Sequence, residues 1–124
     1  MIMDSVTVSI SIEVPPQAVL EILGDPGRLP TWAPGFAKSV ARKGDEWVVD
    51  TGERVVRRHI PVDQVRGTVD FLAEPGANHG LFTRVVGNGD GSELTFTFVG
   101  DGSDEQRAIL AGELATLKQL CESA

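Results

Sequence analysis

The chain has 124 residues, with 11 Lys and Arg against 18 Asp and Glu, giving a formal net charge of −7. At 41% apolar and 23% charged, the composition excludes an intrinsically disordered chain and suits one domain with one core. The negative charge opposes nucleic-acid binding, and no apolar run reaches the ~18–20 residues needed to span a membrane.

The start, Met1-Ile2-Met3-Asp4, lacks the basic and then apolar pattern of a secretion signal. One Cys forms no internal disulfide, so a cytoplasmic location is expected. Two His and that Cys, far apart in sequence, provide no structural zinc site, and no metal or cofactor is expected.

Residues 5–14 alternate, with Val6, Val8, Ile10, Ile12 and Val14 on one face and Ser5, Thr7, Ser9, Ser11 and Glu13 on the other. That pattern predicts a strand with one wet side, ended by Pro15-Pro16. A short helix follows over 16–23, stopped by Gly24. Asp25-Pro26 then opens a second helical turn, with Asp as cap and Pro at the first helical position. Leu29 and Trp32 are its expected anchors.

Six further strands are predicted at 37–43, 46–51, 53–60, 64–73, 79–87 and 92–99. Turn residues such as Lys43-Gly44-Asp45, Pro75-Gly76 and Gly87-Asn88-Gly89-Asp90-Gly91 separate them. Short connections imply antiparallel neighbours. A long helix over about 103–121 ends the chain, opened by the capping box Ser103-Asp104-Glu105-Gln106. Leu110, Leu114, Leu117 and Cys121 form its apolar stripe. The predicted fold class is α+β: a curved seven-stranded antiparallel sheet around a long C-terminal helix, with two short helices after the first strand. A curved sheet cannot touch a straight helix everywhere, so a cavity between them is expected, and small ligands bind in such cavities.

Several segments resemble the helix-grip fold of the START-like (SRPBCC, Bet v 1-like) superfamily. They are Ile10-Ser11-Ile12-Glu13-Val14-Pro15-Pro16-Gln17-Ala18-Val19, Asp25-Pro26 with Trp32-Ala33-Pro34-Gly35-Phe36, and the hairpin Val85 to Phe96. Leu114-Ala115-Thr116-Leu117-Lys118 is similar to the terminal helix of small bacterial members of the polyketide cyclase/dehydrase type. The resemblance spans nearly the whole chain. It implies an internal cavity for a small hydrophobic molecule, and it carries over no catalytic residue. The superfamily often has more loop before the last helix than Gly100-Asp101-Gly102 here.

Glu113 is the most informative candidate. At about 100° per residue it projects between Ile109, Leu110, Leu117 and Leu120, inside the apolar arc, with Gln106 on nearly the same bearing. Either it snorkels to water at the sheet edge, or it enters the cavity. In the cavity it needs a cationic partner, and removing it then costs ~3–5 kcal/mol. The strand over 53–60 offers Arg54, Arg57, Arg58 and His59. Val55, Arg57 and His59 share one face; Arg54, Val56, Arg58 and Ile60 share the other, so at least one Arg faces inward in either phase. Arg57 and His59 are taken as the ligand-facing pair, because a guanidinium suits a carboxylate and His59 is the better acid–base candidate. Trp32, Phe36, Phe71, Phe82, Phe96 and Phe98 are candidate lining residues, each equally suited to plain core packing. Three functional readings stand: a binding module for a small hydrophobic or amphipathic ligand, a polyketide cyclase/dehydratase-type enzyme using the same cavity, or a protein-interaction module forming a homodimer. Proton transfer needs a donor or acceptor working near pH 7. Without Tyr, the candidates are His59, Glu113, an Asp or an Arg-polarised water.

Overall fold

In the computed structural model, which describes residues 1–123, strand β1 (Ser5–Ile12) leads into helix α1 (Pro16–Leu23). A 3-10 turn (Pro26–Arg28) and the short helix α2 (Leu29–Trp32) follow. The Asp25 carboxylate caps that turn by accepting from the Gly27 N–H at 3.1 Å. Next come β2 (Ser39–Lys43), β3 (Glu46–Asp50), β4 (Val55–Arg58), β5 (Val62–Asp63), β6 (Thr68–Phe71), β7 (Gly80–Asn88) and β8 (Gly91–Val99). Helix α3 (Asp104–Glu122) ends the chain.

The α+β architecture with a curved antiparallel array and a long terminal helix is the expected one, but the strand count differs. Among the described residues eight strands form two sheets, β1-β8-β7-β6-β5 and β2-β3-β4. One antiparallel bridge joins them: the His59 N–H donates to Leu72 O at 2.7 Å and the Leu72 N–H to His59 O at 2.9 Å. Where the pattern predicts one strand over 64–73, a turn occupies residues 64–67. The Asp63 carboxylate accepts from the N–H groups of Val65 and Arg66, at 3.1 and 3.0 Å, which holds the chain away from the ladder. Gly67 closes the turn at φ +74°, and a Cβ there would collide with the Val85 carbonyl. Val65 mimics a strand residue in sequence, yet it is 97% exposed.

The apolar stripe of α3 is buried as expected: Leu110, Leu114, Leu117 and Cys121 are all at most 3% exposed. The C-terminal half of α3 is tied to the end of β1. Lys118 Nζ donates to Ser11 O at 2.8 Å and to Glu122 Oε2 at 2.6 Å, and that carboxylate also accepts from the Glu13 N–H at 2.8 Å. At the other end, the Gly100–Gly102 connection hugs β1, with the Gly100 N–H donating to Asp4 O at 2.8 Å. A Cβ on Gly102 would sit 2.7 Å from Ser5 O, so only glycine allows so short a connection.

Only half of the predicted capping box forms. Ser103 Oγ accepts from the Gln106 N–H at 3.1 Å, but the Ser103 N–H goes to Asp101 Oδ1 at 2.9 Å instead of to Gln106. That bond holds the Asp101 carboxyl below its usual range. It also leaves the Gln106 side chain free to turn inward. Ser103→Ala, which strips the cap, is expected to cost about 1 kcal/mol in urea unfolding.

Candidate functional site

Between the N-terminal half of α3 and the sheet lies a cavity of about 860 Å³, within the ~300–1,000 Å³ typical of small-molecule sites. Helix α3 is tied to β1 along its length, by Arg107 Nη1 to Thr7 O at 3.4 Å and by Lys118 Nζ to Ser11 O at 2.8 Å, and the cavity lies on the side of the helix away from β1. Leu29, Trp32, Ala33 and Phe36 close one end. Phe71, Leu81 and Phe98 supply the sheet wall, and Gln106, Ile109, Leu110, Glu113 and Thr116 supply the helix wall. The rim is exposed at Pro34, Gly35, His79, Gly100 and Ile109.

The α2 segment positions its two aromatics by backbone bonds. The Ala33 N–H donates to Leu29 O at 2.8 Å, and the Phe36 and Ala37 N–H groups donate to Ala33 O at 3.0 and 2.9 Å. Trp32 is 2% exposed and packs against Phe71 and Phe96, each with ring centroids 5.8 Å apart. Its indole N–H is buried without a hydrogen-bond partner among the described residues.

Two opposite charges share the cavity without touching. Burial beside apolar walls pushes the Glu113 carboxyl from 4.5 up to about 7. Among the described residues no hydrogen bond or ion pair reaches it. On the sheet side, the Arg58 guanidinium lies over the Phe36 ring, 5.4 Å from its centroid, and donates from Nη1 to Arg57 O at 2.7 Å. Burial, and then the neighbouring Arg54, lower its affinity for the proton. The expectation that a buried Glu113 pairs with an arginine therefore fails. The site holds one unpaired cation, and an acid that stays largely neutral below about pH 7 because nothing compensates its charge.

Trp32, Phe36, Phe71, Phe98 and Glu113 are brought together on the cavity wall. Phe96 is fully buried behind it, as packing for Trp32. Phe82 falls outside the lining: it pairs with Asp70 and Thr97, while its neighbours Leu81 and Thr83 take the inner face. Arg57 and His59 are also outside it. In the β3–β4 register Val49, 0% exposed, pairs with Val56. That register turns Val56, Arg58 and Ile60 inward, and leaves Arg57 near Glu46 at 3.9 Å on the exposed side. Arg58, His79, Gln106 and Thr116 are the polar side chains of the lining that the expected set omits. The signal for Arg58 is present in the sequence, since two apolar residues, Val56 and Ile60, share its phase against Val55 alone.

Among the described residues no group of three or more His, Cys, Asp or Glu is placed to hold a metal ion, and no helix is long and apolar enough to cross a membrane.

Similar folds occur in solved structures of low identity. The protein XoxI from Bacillus cereus superposes with a TM-score of 0.70 at 20% identity, over 95% of each chain. The Aha1 dimer from Colwellia psychrerythraea gives 0.74 at 13% identity over 97% of each chain. Ara h 8.0201 gives 0.68 at 14% identity over 98% of this chain and 99% of its own. These likenesses establish the Bet v 1-like helix-grip fold. No curated protein matches the sequence. The family described as polyketide cyclase / dehydrase and lipid transport matches residues 3–122. The chain belongs to that family, within the START-like superfamily.

Proposed function

We propose that the protein binds a small hydrophobic or amphipathic molecule in the cavity between α3 and the sheet. One observation carries this reading: an aromatic-walled space of about 860 Å³ that the fold's own side chains leave unfilled. A well-packed interior keeps few voids larger than a water molecule. The family's description, which includes lipid transport, supports the same reading. The buried, free Cys121 suits a reducing compartment such as the cytoplasm. Native mass spectrometry of the full chain against a lipid and metabolite extract tests it. A one-to-one adduct with an apolar molecule, weakened when Leu110 is replaced by Trp to obstruct the space, is the expected result. Absence of any adduct counts against it.

Acid–base catalysis in the same cavity is a second reading, favoured by Glu113. A carboxyl near neutrality in an apolar site can both give and take a proton at pH 7. His59, outside the lining, drops out of that mechanism. Turnover of an aromatic poly-β-ketone surrogate that disappears in Glu113→Gln supports it. Full activity in that variant contradicts it.

A further inference from the structure

The cavity's apolar walls say little about the ligand's polar end, but its charges say more. Arg58 is held in place by the Phe36 ring at 5.4 Å and by the Arg57 carbonyl at 2.7 Å. Among the described residues it has no carboxylate partner, and its remaining guanidinium N–H groups have no protein acceptor. A guanidinium that is half buried, fixed in plane and short of acceptors is an anion site by its donor geometry. Arg54, close enough to oppose Arg58's charge, adds to the positive field at that end.

Resting on the ligand-binding reading above, we propose that the cavity selects amphiphiles with an anionic head group. The head is held by Arg58 at the Phe36 wall, and the apolar body lies against Trp32, Phe71 and Phe98. The charged or titratable groups facing this space are Arg58 from β4, His79 from the segment before β7, and Glu113 from α3. The α2 segment, β6 and β8 contribute none to the lining. His79 lies at the exposed rim and Glu113 on the inner helix wall, so the pH response is assigned to Glu113. Neutral, it tolerates an anion in the cavity; ionised, it repels one, so capture weakens as pH rises through neutrality.

Two fluorescent probes sharing one ring system test the proposal on the full chain: 8-anilinonaphthalene-1-sulfonate, and its neutral counterpart N-phenyl-1-naphthylamine. At pH 6 the sulfonate is expected to bind at least about tenfold tighter than the neutral probe. Arg58→Gln should lower sulfonate affinity by about tenfold while leaving the neutral probe within roughly twofold. Arg58→Lys, which keeps the charge, should retain most of the preference. Raising the pH to 8.5 should weaken sulfonate binding several-fold in the native chain but not in Glu113→Gln. Equal loss of both probes in Arg58→Gln, or no preference for the sulfonate, overturns the head-group assignment while leaving the apolar cavity standing. A pH effect that survives in Glu113→Gln and vanishes in His79→Gln overturns the role of Glu113. If neither probe binds, the ligand-binding reading fails together with the proposal.

Discussion

Trp32→Ala is expected to destabilise the fold by about 3–5 kcal/mol, the usual cost of removing a buried aromatic without refilling its space. Trp32 is 2% exposed and joins the cavity to the core: one ring neighbour, Phe71, lines the cavity, and the other, Phe96, is 0% exposed. Truncation merges the void with the cavity, so neighbouring side chains have little to collapse onto. Trp32→Phe provides the contrast. It keeps an aromatic ring in the packing and removes an indole N–H whose burial without a partner costs ~1–3 kcal/mol. Relief of that cost offsets the lost ring area, and the net change is expected to stay within about 1 kcal/mol. Urea midpoints at unchanged slope measure both effects. Equal losses in the two variants would mean that the orphaned donor contributes nothing.

The second large effect concerns Glu113. In the folded chain its carboxyl holds a proton up to about pH 7, against an ordinary value of 4.5. The folded state therefore binds more protons than the unfolded state between those two values. Stability attributable to this group falls as pH rises from about 4.5 to about 7, and stays low above it. At about 1.4 kcal/mol for each tenfold change in proton affinity, holding the group ionised costs up to roughly 3 kcal/mol, with water at the exposed rim reducing it. Glu113→Gln keeps the shape and discards the charge. It is expected to stabilise the protein by about 2–3 kcal/mol at pH 8 and by less than about 0.5 kcal/mol at pH 4.5. This is opposite in sign to the loss expected of a salt-bridged glutamate. Destabilisation at pH 8 would show that the carboxylate has a cationic partner after all.

The fold was legible where one physical signal dominated. The five apolar residues alternating from Val6 to Val14, the Asp25-Pro26 cap and the Leu110–Cys121 stripe each follow from one periodicity or one hydrogen bond. Legibility ended where two signals competed. Over residues 64–67 the apolar Val65 reads as strand, while Asp63 and Gly67, four positions apart around it, make a turn. Along Val55-Val56-Arg57-Arg58 both phases carry one Val and one Arg, and only Ile60, just beyond the strand, tips the pattern toward the Val56–Arg58 face. A buried partner across the ladder, Val49, makes the choice. Phe82 shares its phase with Arg84 and is turned outward, against the pull of its own hydrophobicity. Thr83 takes the inner position, and its hydroxyl donates to Val69 O at 2.5 Å. That bond satisfies a polar group that would otherwise oppose burial. The helical bearing of Glu113 leaves a sheet-edge and a cavity placement open; its place in the cavity lining, and its lack of a partner, depend on how α3 sits against the sheet, which no local pattern encodes.

The cavity's role as the binding site is tested most directly by two-dimensional NMR of the full chain titrated with N-phenyl-1-naphthylamine. The expected result is saturable shifts on the Trp32 indole, on Phe36, Phe71 and Phe98, and along α3 from Gln106 to Thr116, with Phe82, Arg57 and His59 unmoved. Shifts confined to that outward-facing set, or no saturable shifts at all, would contradict it.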